Sequence, residues 1–137
     1  MFGCHGKRPA DLGLTAGALR PCPGTPNCVS SEAGTASDQL VSALPAPGGR
    51  GDLARLAELV RGLPRTEVIT EQPEYLHAES TSLLMRFVDD VEFRFDSAAQ
   101  VIHVRSASRL GKSDLGVNRN RVLNIRDRWF ASFGGAK

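Results

Sequence analysis

The feature that most constrains the fold is the alternation of polar and apolar side chains that begins at residue 65 and runs to residue 107. A two-residue period is typical of strands that bury one face. Turn-forming residues interrupt the alternation at Pro73, at 89–90 and at 97–100. The pattern predicts five strands, at 66–71, 74–79, 83–88, 91–96 and 101–107.

Matching apolar side chains on neighbouring strands predicts the register of an antiparallel meander. Phe93 lies opposite Val104 on one side and opposite Met85 on the other, and Leu76 also lies opposite Met85. This register requires a three-residue turn at 88–90. The predicted apolar face consists of Leu76, Ala78, Leu83, Met85, Phe87, Val91, Phe93, Phe95, Ile102 and Val104.

The opposite face of the predicted sheet is polar. One row across it reads Tyr75, Arg86, Glu92 and Arg105, and the next reads His77, Leu84, Arg94 and His103. Opposite charges on neighbouring strands stabilise a sheet by only a few tenths to about 1 kcal/mol. We interpret the charged row as a solvated ladder of ion pairs. The alternative is a polar floor that receives a ligand or is covered by the N-terminal segment.

Two segments have the periodicity of amphipathic helices. Helix spacing of Leu53, Leu56, Ala57 and Val60 predicts a helix at 52–61, with Asp52 as N-cap and Gly62 after its end. The spacing of Val122, Ile125, Trp129 and Phe133 predicts a second helix that begins near an N-cap at Asn118 and ends near 132. Because the sheet offers one apolar face, we expect a two-layer α+β domain with both helices on that face.

Residues 1–49 are rich in proline, glycine and serine and show little periodicity, which predicts an extended N-terminal arm with turns. The α+β domain then spans 50–137. A chain of 137 residues is long enough for a single globular domain with a real core.

The arm contains Cys22 and Cys28, between which proline-fixed turns could close a disulfide loop in an exported protein. A zinc site would need Cys4 and His5 as further ligands, and their adjacency is unfavourable for one tetrahedral ion. A thiolate enzyme would need a histidine brought near by the fold. We expect no metal and no cofactor.

Charge is distributed unevenly along the chain, although its net value is only +2. Residues 65–100 hold three basic and eight acidic side chains, and residues 101–137 hold eight basic and two acidic ones. The small net charge argues against a nucleic-acid-binding protein. The split indicates either a binding face or two segments of opposite sign that pack together.

Cations cluster where the last predicted strand leads into the second helix. Gly111-Lys112-Ser113 resembles the end of a phosphate loop, but Ser106 stands where that motif requires glycine. Free N–H groups at a helix start and arginine side chains both suit carboxylate or phosphate. The same residues could instead serve turns, caps and the acidic strands. The candidate anion site comprises Arg105, Ser106, Ser108, Arg109, Asn118, Arg119 and Arg121.

Three segments resemble the bacterial and plastid family known as domain of unknown function 1499. They read PCPGTPNCVSS at 21–31, RFVDDVEF at 86–93 and RSASRLGKSDLGVNRNRV at 105–122, and the similarity runs from about Lys7 to Arg126. The resemblance implies a shared fold and a shared site, but no reaction. This chain departs from the family pattern at Leu123, where an acidic residue is usual, which weakens a catalytic role for that position.

Members of that family often carry an N-terminal membrane or lipoprotein segment, which implies a location in the cell envelope. Phe2-Gly3-Cys4 is similar to the end of a lipoprotein cleavage site, so Cys4 would carry a lipid if the natural chain begins upstream. If the chain begins at Met1, the expectation is cytoplasmic.

Three functions remain open at this point. The first is a non-enzymatic module of the cell envelope that binds a small anionic ligand or a lipid headgroup. The second is a thiol-dependent enzyme or redox protein that uses Cys22 or Cys28. The third is a structural or interaction domain in which the motif segments only brace the fold.

Overall fold

A computed structural model describes residues 7–83, 87–110 and 116–133. Helices and antiparallel sheets combine in it as an α+β fold, which confirms the predicted class. No helix among the described residues has the length and apolar character needed to cross a bilayer.

Four short strands lie in the N-terminal arm, which the sequence predicted to lack regular structure. They are β1 (Leu14–Thr15), β2 (Ala18–Leu19), β3 (Cys28–Ser30) and β4 (Leu44–Pro45). Strands of two or three residues are too short to show a two-residue period, so the prediction was wrong here.

The remaining elements form the body of the protein. They are α1 (Gly51–Arg61), β5 (Thr66–Glu71), β6 (Tyr75–Thr81), β7 (Val88–Asp96), β8 (Val101–Ser108) and α2 (Val117–Ala131). The main sheet has the order β3-β8-β7-β6-β5, and β4 also pairs with β8. All of these pairings are antiparallel. The arm therefore completes one edge of the sheet.

The register of the last hairpin is as predicted, since Phe93 pairs with Val104 and Phe95 with Ile102. The predicted position of the 83–88 strand, between the strands at 74–79 and 91–96, is wrong. β6 pairs directly with β7, and Leu76 lies opposite Phe93. Leu83 and Phe87 are exposed instead of buried, while Leu84, Met85 and Arg86 lie outside the described residues.

The physical reason for this error is that both registers bury the same face. Direct pairing of β6 with β7 also places Ala78 opposite Val91 on the apolar side, and it extends β7 back to Val88. Alternation specifies which face is buried, but it does not specify which strand is the neighbour.

Both helices pack on the apolar face of the sheet, as the sequence predicted. The buried core contains Leu53, Leu56, Ala57 and Val60 of α1, Val122, Ile125 and Trp129 of α2, and Leu76, Ala78, Val91, Phe93, Phe95, Ile102 and Val104 of the sheet. Trp129 is fully buried, and its Nε1 donates to the Pro45 carbonyl at 2.7 Å. This contact ties α2 to the arm.

Both helix starts differ from the prediction by one or two residues. Arg50 is the N-cap of α1, and Asp52 lies inside the helix, where its Oδ2 accepts a hydrogen bond from Gly48 N at 2.8 Å. Gly116 is the N-cap of α2, with φ of 81°, and Asn118 is buried in the first turn. In both helices the polar side chain binds another part of the protein rather than capping its own helix.

Candidate functional site

Two segments that are far apart in the sequence meet at one end of the sheet. The carbonyl of Asn27 accepts hydrogen bonds from Ser108 N at 3.0 Å and from Asn118 Nδ2 at 3.2 Å. Asn27 Nδ2 in turn donates to the Leu110 carbonyl at 3.5 Å. Residues 21–31 therefore brace the strand-to-helix connection that the sequence singled out. Gly111, Lys112, Ser113 and Asp114 of that connection lie outside the described residues.

Cys22 and Cys28 form a disulfide with a Cα–Cα distance of 5.7 Å. The bond closes a loop just before β3, and Cys28 is fully buried at the start of that strand. With both sulfurs bonded, neither residue is a thiolate nucleophile or a zinc ligand in this structure. Cys4 and His5 lie outside the described residues.

Asp89 and Asp90 point to opposite faces of the sheet, and each binds one arginine from the 105–122 segment. Arg121 Nη2 lies 2.7 Å from Asp89 Oδ2 on the helix side. Arg109 donates to Asp90 from Nε at 2.8 Å and from Nη2 at 2.9 Å on the arm side. These two ion pairs connect the start of β7 to the segment that follows β8.

The alternation of β8 also divides the predicted anion site. Ser106 and Ser108 face the helices, where Ser106 Oγ donates to Asn118 Oδ1 at 2.5 Å and Asn118 Nδ2 donates to Ser108 Oγ at 2.9 Å. Arg121 joins this group by donating from Nη1 to Asn118 Oδ1 at 2.8 Å and to Ser106 Oγ at 3.2 Å. Four of the seven predicted residues are therefore brought together on the helix side.

The other three predicted residues lie elsewhere. Arg109 is on the arm side, where it also donates to Glu79 at 2.5 Å. Arg105 is on the same side, with 2% of its side chain exposed. Arg119 lies on the outer surface of α2 and donates to the carbonyls of Asp38 at 2.7 Å and Leu40 at 3.2 Å.

The arm side of the sheet is a buried polar layer rather than the predicted solvated ladder. Arg105 does pair across the strands with Glu92, but both are buried, with 3.7 Å between Arg105 Nη1 and Glu92 Oε1. The arm covers them, because Gly13 N donates to Glu92 at 2.8 Å and Arg105 donates to the Pro21 carbonyl at 3.4 Å. Burial lowers the pKa of the Arg105 guanidinium.

The predicted rows of this face are wrong on the β6 side, because the register there differs. His77 lies opposite Glu92, and Tyr75 lies opposite Arg94. The hydroxyl of Tyr75 nevertheless donates to Glu92, and burial together with this hydrogen bond raises the pKa of Tyr75. His103 does pair with Arg94, as predicted.

Several carboxyl groups of this layer titrate below their ordinary range. Burial would raise the pKa of Glu32, but hydrogen bonds from Arg94 and from Leu19 N outweigh it and lower that pKa. The pKa of Asp90 is lowered in the same way, since the bonds from Arg109 and His77 outweigh the effect of burial. These groups are therefore ionised at neutral pH.

His77, Glu79 and Asp90 approach one another closely enough to suggest a metal site, with ligand atoms within 4.8 Å. However, Arg109 donates to both carboxylates, and Arg8 donates to Glu79. The guanidinium groups already supply the positive charge that a cation would bring. The geometry therefore favours ion pairs over metal coordination here.

A cleft of about 390 Å³ opens on the helix side, and we call it the helix cleft. Its inner wall is apolar, with Val60, Ala78, Val91 and Ile125. Arg65 and Arg121 also line it, and Val117 and Asn120 bring in the first turn of α2. Sequence reasoning missed Arg65, because it lies some fifty residues before α2 and follows no motif. Its positive φ of 53° was the one unusual feature, and the structure alone shows it.

Comparison with known proteins gives one match. A family model described as "Protein of unknown function (DUF1499)" matches residues 18–128. No curated protein and no solved structure matches the chain.

Proposed function

The chain belongs to the DUF1499 family, and from its geometry we propose that it is a non-enzymatic module that binds a small anionic molecule in the helix cleft. The observation that carries the proposal is one juxtaposition. A cleft with an apolar inner wall meets the first turn of α2 beside Arg65 and Arg121.

The positive end of α2 borders this cleft. The first N–H groups of a helix have no partner within the helix, and they carry partial positive charge that attracts anions. The N-cap residue of α2 is Gly116, which has no side chain and so makes no side-chain hydrogen bond to them. An anionic group in the cleft beside Val117 would lie close to this positive end of the helix.

Arg65 supplies a full positive charge, whereas the helix end supplies only a partial one. Its Nε donates to the Thr81 carbonyl at 3.1 Å, and no ion pair engages it within the described part of the chain. Arg121, by contrast, is neutralised by Asp89. We therefore assign recognition of the anion to Arg65 and the helix turn, with Arg121 positioning that turn through Asn118.

The inner wall indicates what else the ligand carries. Val60, Ala78, Val91 and Ile125 would contact an apolar portion, whereas Ser80, Ser82 and Asn124 surround it with polar groups. A short alkyl chain that ends in a carboxylate or a phosphate combines both properties. Such a group occurs in free metabolites and in lipids alike, and the shared chemistry is an anionic head on an apolar tail.

The disulfide supports a location in an oxidising compartment such as the cell envelope, because disulfides persist there and are rare in the cytosol. It also removes support from the thiol-enzyme alternative, since neither sulfur is free to act as a nucleophile.

Titration calorimetry with octanoate, octyl phosphate and uncharged octanol tests the proposal. We expect both anions to bind at least about ten-fold more tightly than octanol, because a charge-assisted hydrogen bond contributes more than a neutral one. Vesicles that contain an anionic lipid distinguish a headgroup from a free ligand, since only a headgroup site would also retain the protein on them.

Two variants and their matched controls locate the site. Arg65→Gln should weaken the binding of octanoate about ten-fold, whereas Arg50→Gln removes another exposed arginine that does not line the cleft. Asn124→Trp should block the cleft, whereas Asp127→Trp places the same bulk on α2 outside it. Equal binding of octanol and octanoate, or unchanged binding in Asn124→Trp, would contradict the proposal. If none of these ligands binds, the proposal is also contradicted, and the structural alternative, in which the motif segments only brace the fold, is favoured.

A further inference from the structure

A second cavity, on the opposite face of the sheet, lies beneath the arm and has a volume of about 420 Å³. We propose that it is a binding site for a small hydroxylated molecule, an alcohol or a phenol, whose hydroxyl group hydrogen-bonds to His77. This inference does not depend on the helix cleft, because His77 and Tyr75 face the arm while their neighbours Leu76 and Ala78 face the helices.

His77 is held in a single orientation by Asp90. Their Nε2 and Oδ1 atoms are 2.8 Å apart, and both side chains are almost fully buried. Hydrogen bonds from Arg109 and His77 keep Asp90 ionised, so its oxygen accepts and His77 Nε2 must donate. With Nε2 donating to Asp90, Nδ1 is the ring nitrogen left for a molecule in the cavity, and it is the acceptor in this tautomer.

The hydroxyl of Tyr75 also lines the cavity but is already committed as a donor. It binds Glu92, which accepts from Gly13 N at 2.8 Å as well. Gly13 belongs to the arm and lines the same cavity. The network therefore fixes the arm over the cavity and leaves Tyr75 able only to accept.

Two hydrogen-bond acceptors at the base of the cavity favour a ligand that donates a hydrogen bond. Neither His77 Nδ1 nor the Tyr75 oxygen suits a carboxylate or phosphate, which only accept hydrogen bonds. The nearby cation Arg8 is already paired with Glu79. A hydroxyl group suits these two acceptors because it donates one hydrogen bond and can accept another.

The remaining wall of the cavity is apolar and would contact the apolar part of the ligand. Pro9, Leu12 and Leu14 of the arm and Ile69 of β5 line it. Leu14 is 41% exposed, so contact with an apolar ring would remove part of its surface from water. A cavity of this volume holds one small ring.

Phenol and anisole form a matched pair of probes, because anisole has the same ring but a methyl ether in place of the hydroxyl. Nitrogen-detected NMR of the histidine ring in the full chain measures both the affinity and the contact. We expect phenol to shift the Nδ1 resonance of His77 and the amides of Gly13 and Tyr75. Anisole should bind about five-fold or more weakly, because it cannot donate.

Variants at the exposed rim keep the fold and locate the ligand. Gln72 lines the cavity and is exposed, so Gln72→Trp should close it and abolish the phenol shifts. Glu67→Trp adds the same bulk at an exposed position of β5 outside the cavity and should leave them unchanged.

Three results would overturn the inference: equal binding of phenol and anisole, phenol binding that leaves the His77 ring unshifted, or unchanged binding in Gln72→Trp. A cavity that holds only water would show no shift with either probe, and that outcome also counts against it.

Discussion

At the scale of single residues, the arginines of the 105–121 segment are divided among separate partners. Arg109 binds Asp90 and Glu79, Arg121 binds Asp89, and Arg119 binds backbone carbonyls. Arg105 is buried beneath the arm, and its Nε lacks a hydrogen-bond partner among the described residues. The arginines seen together in the sequence are therefore not a cluster in space, because Arg105 and Arg109 lie on the arm side of the sheet whereas Arg119 and Arg121 belong to α2.

Replacing Arg109 by methionine should destabilise the protein by about 3 kcal/mol, because it leaves two carboxylates with less compensation in a buried layer. The side chain of Arg109 is 7% exposed and that of Asp90 is 3% exposed. Urea unfolding followed by the fluorescence of the single tryptophan measures the change.

Arg50→Met is the matched control for this substitution. Arg50 pairs with Glu74, but the two side chains are 61% and 50% exposed, so the loss should stay below about 1 kcal/mol. If both variants lose the same stability, the buried ion pairs of Arg109 do not have the role assigned to them.

At the scale of secondary structure, the helices and the last hairpin were predictable and the neighbour of β6 was not. Helix periodicity depends on residues three and four apart, and the β7–β8 hairpin joins adjacent segments. The choice between Met85 and Phe93 as the neighbour of Leu76 was misled by the sequence between β6 and β7, whose apolar residues have the pattern of a strand. The helix starts were misplaced because Asp52 binds Gly48 N just before α1 and Asn118 binds Ser106 of β8, and neither caps its own helix.

The start of α2 depends on Gly116, and we expect Gly116→Ala to cost at least about 1 kcal/mol. Its φ of 81° is in the left-handed region, which disfavours residues with a Cβ atom by about 1–2 kcal/mol. Among the described residues, an added Cβ would meet only Asn120 Nδ2 at 3.9 Å, so the expected cost is that of the backbone conformation.

Gly51→Ala is the comparison for this variant. Gly51 begins α1 without a positive φ, and nothing lies within 4 Å of an added Cβ. This change should leave stability unchanged or increase it by up to about 1 kcal/mol. Thermal unfolding of both variants measures these changes in stability. If Gly51→Ala destabilises the protein and Gly116→Ala does not, the expectation is wrong.

At the scale of the whole molecule, the arm is held on the sheet largely by carboxylates. Glu92 of β7 accepts from Gly13 N, Glu79 of β6 accepts from Arg8, and Glu32 of the arm accepts from Arg94 of β7 at 2.6 Å. The boundary between the arm and the α+β domain at residues 49 and 50 remains a prediction. These contacts join the arm and the domain into one buried polar layer.

Acid should therefore destabilise the protein. The folded-state pKa values of Glu32, Glu79 and Asp90 lie below their ordinary values of 4.5, 4.5 and 3.8. Groups with a lowered folded pKa contribute stability that is fully present above the ordinary value and is lost as pH falls through the folded one. We expect the free energy of unfolding to be level at neutral pH and to fall below about pH 5.

Urea unfolding between pH 7 and pH 2.5 measures this dependence. Glu32→Gln should lower the free energy of unfolding at pH 7. It should also reduce the loss of stability between pH 5 and pH 2.5, since the glutamine has no proton to gain. A stability that rises on acidification, or an acid-induced loss unchanged in Glu32→Gln, would contradict the assignment.

The sequence by itself determined the α+β class, both helices, the buried face of the sheet and the pairing of Glu92 with Arg105. These features follow from periods of two and 3.6 residues and from neighbouring strands, which are local properties of the chain. Only the tertiary structure decided that the arm buries this pair, which carboxylate binds each arginine, and where the two cavities lie. Those features depend on contacts such as Gly13 with Glu92 and Asn27 with Asn118, which are 79 and 91 residues apart. No local pattern encodes them, because each partner is brought into place by the packing of the whole chain.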